Sequence, residues 1–119
     1  MSQPCSMVEL VLFDARSLED ARVVAALHET ARRGIHRGAI SEANDVAAVL
    51  EESGLTDAVD LWLPGADGAW PFDRALALTG VEPGRVLFVS TRDTANTAAQ
   101  TAGLQTCEGD LDQIDRRLP

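Results

Sequence analysis

Short apolar segments alternate with longer segments whose apolar residues recur every three to four positions. The apolar segments, which predict five strands, are residues 8–13, 35–40, 59–63, 85–89 and 104–107. The amphipathic segments predict helices over about 17–33, 41–53, 71–78 and 91–103, with a last helix from 110. Strand–helix alternation with short connections is typical of a parallel sheet covered by helices on both faces. The sequence therefore predicts a three-layer α/β/α, Rossmann-like fold.

Residues at the predicted helix boundaries support this division. Ser17 and Ser41 each precede an amphipathic run and are predicted to be N-caps, while Pro71 suits the first turn of the third helix. Gly34 and Gly54 follow the first two helices and are predicted to end them.

Length and composition indicate one globular domain. The chain has 119 residues, 45% hydrophobic and 24% charged, which is enough for one core. We expect residues 1–7 to be an N-terminal tail and 8–119 a single domain. Residues 1–7 lack the pattern of a signal peptide, and no apolar run approaches the ~20 residues of a membrane span. Two cysteines make no disulfide framework. A cytoplasmic protein without membrane contact is expected.

The charge balance excludes several kinds of site. Acidic residues number 19 and basic residues 10, giving a net charge of −9, and every basic residue is arginine. Without lysine there is no P-loop lysine and no Schiff-base lysine. The negative charge argues against binding to a nucleic-acid backbone. His28 and His36 lack partners at metal or triad spacing, so we expect them to have ordinary structural or surface roles.

Polar residues stand where the predicted strands end. Ligands of parallel α/β sheets bind beyond the carboxyl ends of the strands. Those ends carry Asp14, Ser41, Pro64-Gly65 and the run Ser90-Thr91-Arg92-Asp93. Candidate chemistry is therefore expected in this set.

Several segments, in order, resemble the haloacid dehalogenase-like (HAD) superfamily of aspartate-nucleophile hydrolases. Leu10–Asp14 resembles the first family motif, and Gly34–Ser41 resembles the second. Residues 50–60 resemble the approach to the third strand, and 80–104 resemble the fourth motif with its helix. The resemblance implies a sheet of order 3-2-1-4-5. The short stretch between Asp14 and Ser41 leaves no room for a cap domain.

The resemblance also implies a chemistry. In the family an aspartate attacks phosphorus, and a second acid two residues later protonates the leaving group. Mg²⁺ lies between the nucleophile and acids after the fourth strand, and a hydroxyl and a lysine hold the phosphoryl oxygens. Asp14 matches the nucleophile and Ser41 the hydroxyl. If the chain is active, its catalytic residues are Asp14, Ser41 and Asp93.

This chain departs from the family pattern at most other positions. Arg16 replaces the second acid, and Trp70-Pro71 replaces the lysine–proline pair. Ser90-Thr91 and Ala95 stand where acids are expected, with only Asp93 nearby. We therefore expect no cofactor. Mg²⁺ is expected only if hydrolase activity remains, and then on Asp14 and Asp93.

Ordinary roles remain open for the same residues. Ser41 and Asp93 also suit helix caps. Arg92 is a candidate for binding a phosphate or other anion in place of the lysine; for Arg74 we favour the surface. Arg16 is expected to pair with Asp14, which could place a guanidinium where Mg²⁺ binds in the family.

Trp70 has two open interpretations. It is either an interface anchor or a core residue, and the sequence does not decide between them.

A second resemblance concerns the segment from Asp60 to Gly68. It is similar to the phospho-acceptor loop of two-component receiver domains, with Asp60 as the phosphorylated residue. That resemblance implies a different sheet order, 2-1-3-4-5.

Three functional hypotheses follow. The first is a HAD-like domain that has lost phosphohydrolase activity and binds a protein partner or itself, as a regulatory or assembly domain. The second is a small capless phosphohydrolase with a remodelled site, which uses Asp14, Asp93 and an arginine. The third is a degenerate receiver-like signalling domain.

Overall fold

The computed structural model describes residues 8–66 and 68–107. Five strands are present in this part of the chain: β1 Leu10–Asp14, β2 His36–Ile40, β3 Leu61–Leu63, β4 Val86–Val89 and β5 Gln105–Cys107. Four α-helices connect them: α1 Ala21–Arg32, α2 Val46–Ser53, α3 Phe72–Thr79 and α4 Asp93–Thr101. The N-terminal tail, residues 1–7, and the predicted last helix from Asp110 lie outside the described residues. No helix in the described ranges is long and apolar enough to cross a membrane.

The five strands form one parallel sheet in the order β3-β2-β1-β4-β5. This order and the three-layer α/β architecture confirm the fold expected from the HAD resemblance.

The receiver-like interpretation was wrong, because a receiver places the first strand beside the third. Asp60 also lies at the wrong end of its strand. It immediately precedes β3, and its carboxylate accepts the backbone N–H of Arg37 at 3.1 Å. A phospho-acceptor would lie at the carboxyl end, where parallel α/β sheets bind ligands.

The core has two layers, one on each face of the sheet. Alternate residues of β1 point to opposite faces: Val11 and Phe13 join one cluster, and Leu10 and Leu12 join the other. All five β1 residues are fully buried because the strand is central and covered on both sides. Asp14, the last β1 residue, is therefore enclosed.

Two predicted helix starts were wrong. Ser17 lies in a short 3-10 turn over Ala15–Glu19, and α1 begins after Asp20, whose carboxylate accepts the N–H of Arg22 at 2.9 Å. Ser41 does not cap α2, which begins only at Val46; its hydroxyl accepts the N–H of Ala43 instead. For Ser41 the pattern failed because serine satisfies backbone donors in turns as well as at helix starts. The Ser17 hydroxyl instead accepts the N–H of Thr91, 74 residues later.

The later helices begin close to the predicted positions. Pro71 is the residue immediately before α3, and Arg92 is the residue immediately before α4. Asp93 is therefore the first residue of α4 rather than its cap.

Candidate functional site

The carboxylate of Asp14 is the centre of a polar cluster at the carboxyl edge of the sheet. Asp14 is fully buried and pairs in register with Ile40 of β2. Its Oδ1 accepts the backbone N–H of Arg16 at 3.1 Å. Its Oδ2 accepts the hydroxyls of Ser90 at 2.8 Å and Ser17 at 3.3 Å. A buried carboxylate needs such donors, because an unpaired buried charge is very unfavourable.

The side chain of Arg92 provides the positive charge. Its Nε lies 2.8 Å from Asp14 Oδ2, and its Nη2 lies 3.0 Å from Asp14 Oδ1. The same guanidinium donates to both oxygens of Glu42, from Nη1 at 3.0 Å and from Nη2 at 2.9 Å. Arg92 thus makes two-point contacts with two carboxylates, a strong and geometrically specific arrangement.

These contacts affect the pKa values of the cluster. Hydrogen bonds to Glu42 and Asp14 raise the pKa of Arg92 above its ordinary value, so it stays charged. The hydrogen bond from Arg92 lowers the pKa of Glu42 below its ordinary value of 4.5.

Trp70 covers one side of the guanidinium. The Cζ atom of Arg92 lies 5.6 Å from the centre of the Trp70 ring, within the range of a cation–π contact. Trp70 is partly buried, stacks on Phe72 at 5.5 Å between ring centres, and meets Phe88 edge-on at 5.3 Å. Its predicted role as an interface anchor stays a prediction.

Hydroxyl groups close the other side of the cluster. Ser17 Oγ accepts the backbone N–H of Thr91 at 3.0 Å, and Ser90 Oγ accepts that of Arg92 at 3.0 Å. Asn96 donates from Nδ2 to the Ser90 carbonyl at 3.0 Å. The turn between β4 and α4 is thereby attached to the turn after β1.

The other predicted site residues occupy separate positions. Ser41 is buried, and its hydroxyl donates to Asp45 at 2.7 Å rather than to Asp14. Asp93 is exposed and lies outside the hydrogen bonds around Asp14. The expected side-chain pair between Arg16 and Asp14 was wrong, because the Arg16 side chain lies 3.6 Å from Asp45.

Arg74 is exposed, as expected. It lines an open pocket of about 300 Å³ together with Trp70 and Pro71.

Besides Ser17, which was predicted only as an N-cap, the sequence analysis missed Glu42 as a site residue. The available signal was its position, two residues beyond the end of β2 and next to Ser41. Neither the spacing nor the family pattern identifies it as a partner of Arg92, from which it is 50 residues distant.

The HAD resemblance implies Mg²⁺, so the groups around Asp14 can be compared with what this ion requires. Mg²⁺ takes oxygen ligands in octahedral geometry, usually one or two carboxylates with water and substrate phosphate. Here a guanidinium covers both oxygens of Asp14 and both oxygens of Glu42. Residues 8–66 and 68–107 contain no group of three His, Cys, Asp or Glu side chains placed to hold a metal. The residues present therefore do not fit Mg²⁺.

Comparison with known proteins supports the fold. No protein-family model matches the chain, and no curated protein sequence matches it. Among solved structures, the core domain of a candidate phosphoglycolate phosphatase from Streptococcus pneumoniae superposes with a TM-score of 0.65 and 16% identity, covering 92% of this chain and 93% of that one. A HAD-superfamily hydrolase of subfamily IA from Geobacter sulfurreducens superposes with a TM-score of 0.61 and 18% identity, covering 78% of this chain and 57% of that one. A hypothetical protein from Xanthomonas campestris superposes with a TM-score of 0.60 and 17% identity, covering 98% of this chain and 72% of that one.

At these identities the similarity defines the fold. The chain has the fold of a HAD-like hydrolase core, and the sheet order agrees with this. What the chain does depends on its own residues.

Proposed function

We propose that this chain is a HAD-like domain that no longer hydrolyses phosphoesters and acts by binding another protein, in a regulatory or assembly role. The observation that carries the proposal is the two-point ion pair between Arg92 and Asp14. It ties up the carboxylate that the resemblance assigns as the nucleophile.

The first argument concerns lone pairs. The two oxygens of Asp14 accept five hydrogen bonds in total. A carboxylate offers about four lone-pair sites. An attacking oxygen needs a lone pair directed at phosphorus, so this carboxylate would first have to release several donors.

The second argument concerns the missing partners of Asp14. Arg16 stands where the family has a general acid, and losing such an acid typically slows a reaction by about 10²–10⁴. Trp70 stands where the family has the lysine that holds the phosphoryl oxygens. Arg92 cannot easily replace that lysine, because four of its N–H groups already bind the protein's own carboxylates.

The proposed protein contact lies at the β3 edge of the sheet. Trp62 is 44% exposed and borders a groove of about 130 Å³ that Ala47, Leu50, Glu51 and Thr56 also line. Tryptophan is enriched among the residues that dominate binding energy at interfaces.

The carboxylate that lines this groove favours a partner that combines a basic group with an apolar anchor. Glu51 lines the groove. Two more exposed acidic residues, Glu52 and Asp57, directly follow the lining residues Glu51 and Thr56 in the sequence. A second copy of this chain, which also carries a net charge of −9, offers the groove less charge complementarity than a basic partner.

Loss of hydrolysis is tested with an aryl phosphate and Mg²⁺, comparing the natural chain with Asp14→Asn. We expect no turnover above that of the variant. Turnover that Asp14→Asn abolishes would refute the proposal.

Binding is tested by selecting displayed random peptides on the immobilised chain. We expect peptides that combine Arg or Lys with a large apolar residue, and we expect their binding to be lost in Trp62→Ser. The matched control is Leu78→Ser, because Leu78 is 67% exposed on α3. Equal loss in both variants, or the absence of any selected peptide, would contradict this surface.

A further inference from the structure

Arg92 occupies the position that a bridging cation would take between two carboxylates. We propose that its guanidinium replaces the divalent ion which the HAD resemblance places against Asp14, so that the chain supplies its own counter-ion. This inference goes beyond the proposed function, since it concerns what orders the carboxyl edge of the sheet.

The three chain segments that meet at the guanidinium support this role. Asp14 ends β1, Glu42 lies just beyond β2, and Arg92 lies between β4 and α4. Four N–H···O contacts of 2.8–3.0 Å join them. Like a bridging ion, the guanidinium brings together two carboxylates that would otherwise repel each other.

Burial of Asp14 makes a positive charge beside it strongly favourable. The side chain of Asp14 is fully buried, while that of Glu42 is 22% exposed and that of Arg92 29% exposed. Bulk water does not reach the inner carboxylate, so contact with a cation offsets much of the cost of burying its charge.

Trp70 gives a second, independent indication. It stands where the family has a lysine, and its ring faces the guanidinium at 5.6 Å. A lysine at that position would place a second cation beside the first. An aromatic face instead attracts a planar guanidinium, which stacks on rings more readily than an ammonium does.

Removal of the guanidinium should therefore expose a cation site. In Arg92→Ala, the carboxylates of Asp14 and Glu42 would both face the vacated space. These are oxygen ligands, which suit Mg²⁺, Mn²⁺ and Ca²⁺.

The test is thermal unfolding with a chelator or with millimolar MgCl₂, at ionic strength matched with NaCl. We expect the natural chain and Arg92→Lys to unfold at the same temperature in both solutions. We expect Arg92→Ala to unfold at a lower temperature with chelator and to regain roughly 4–8 °C with Mg²⁺. If the arginine were merely structural, its removal would lower the unfolding temperature and Mg²⁺ would not restore it.

The double variant Asp14→Asn with Arg92→Ala is the matched control, and we expect it to lose the response to Mg²⁺. Mn²⁺ should broaden the amide NMR signals around Asp14 in Arg92→Ala but not in the natural chain. The proposal is overturned if Mg²⁺ stabilises the natural chain, or if Arg92→Ala stays unresponsive or unfolded with every divalent ion. These readouts do not involve hydrolysis, so their outcome is separate from that of the activity assay.

Discussion

Arg92 and Asp14 form a two-point ion pair across the carboxyl edge of the sheet, with Nε···Oδ2 at 2.8 Å and Nη2···Oδ1 at 3.0 Å. Asp14 ends the central strand, and Arg92 begins the turn into α4, 78 residues later. The pair therefore links the first and fourth strand ends. It also occupies the carboxylate on which hydrolysis would depend.

Removal of the guanidinium should destabilise the domain. Arg92→Ala leaves the buried Asp14 without its cation, and breaking a buried ion pair from one side typically costs about 3–5 kcal/mol. We expect the free energy of unfolding in urea to fall by an amount of that order. Arg74→Ala, at an exposed arginine, is the control and should change it by less than about 0.5 kcal/mol. Similar losses in the two variants would contradict the importance of the pair.

Ser90 should contribute more to the stability of the fold than its small side chain suggests. Its buried hydroxyl donates to Asp14 and accepts the backbone N–H of Arg92. Ser90→Ala leaves both groups short of a partner, which typically costs about 1–3 kcal/mol. Denaturant unfolding measures the free energy of unfolding of Ser90→Ala and of the control Ser53→Ala, at the exposed end of α2. Equal stability of the two variants would count against the hydroxyl network.

Acid should weaken the site through Glu42. The hydrogen bond from Arg92 lowers the pKa of Glu42 in the folded chain below its ordinary value of 4.5. A lowered folded pKa gives stability that is fully present above about pH 4.5 and is lost as the pH falls through the lower, folded value. We expect the stability of Glu42→Gln to depend less steeply on pH below 4.5 than that of the natural chain. Glu52→Gln, on the exposed face of α2, should keep the natural pH profile; a profile that Glu42→Gln leaves unchanged would refute the coupling.

Gly65 should resist substitution because the backbone passes close to it. A Cβ at Gly65 would lie 2.2 Å from the Ala69 carbonyl oxygen and 2.4 Å from that of Ser41. Gly65→Ala must therefore displace the backbone next to Glu42, at a cost of roughly 1–3 kcal/mol. Gly84→Ala is the control, because nothing lies within 4 Å of the added atom. Thermal unfolding compares the two variants. If Gly65→Ala unfolds at the same temperature as the natural chain, the backbone does not approach Gly65 this closely.

Local sequence patterns predicted the strands well. The apolar run before Asp14 became the buried central strand, because a strand covered on both faces buries consecutive apolar residues. The third strand is shorter than predicted. It begins at Leu61, and the carboxylate of the preceding Asp60 accepts the backbone N–H of Arg37. The cap expected at Ser41 failed because a serine hydroxyl satisfies backbone donors in turns as well as at helix starts. The cap expected at Ser17 failed because its hydroxyl binds Asp14 and the distant N–H of Thr91.

The sequence by itself determined the alternation of strands and helices, the buried strand that ends in Asp14, and the absence of the usual acid and lysine near it. These follow from apolar periodicity and residue identity, which are local properties. Only the tertiary structure decided that Arg92 reaches Asp14 and Glu42 at once, and that Arg16 turns to Asp45 instead. The order of the strands sets which chain segments meet at an edge, and contacts between residues 50 or 78 positions apart exist only after the sheet has formed.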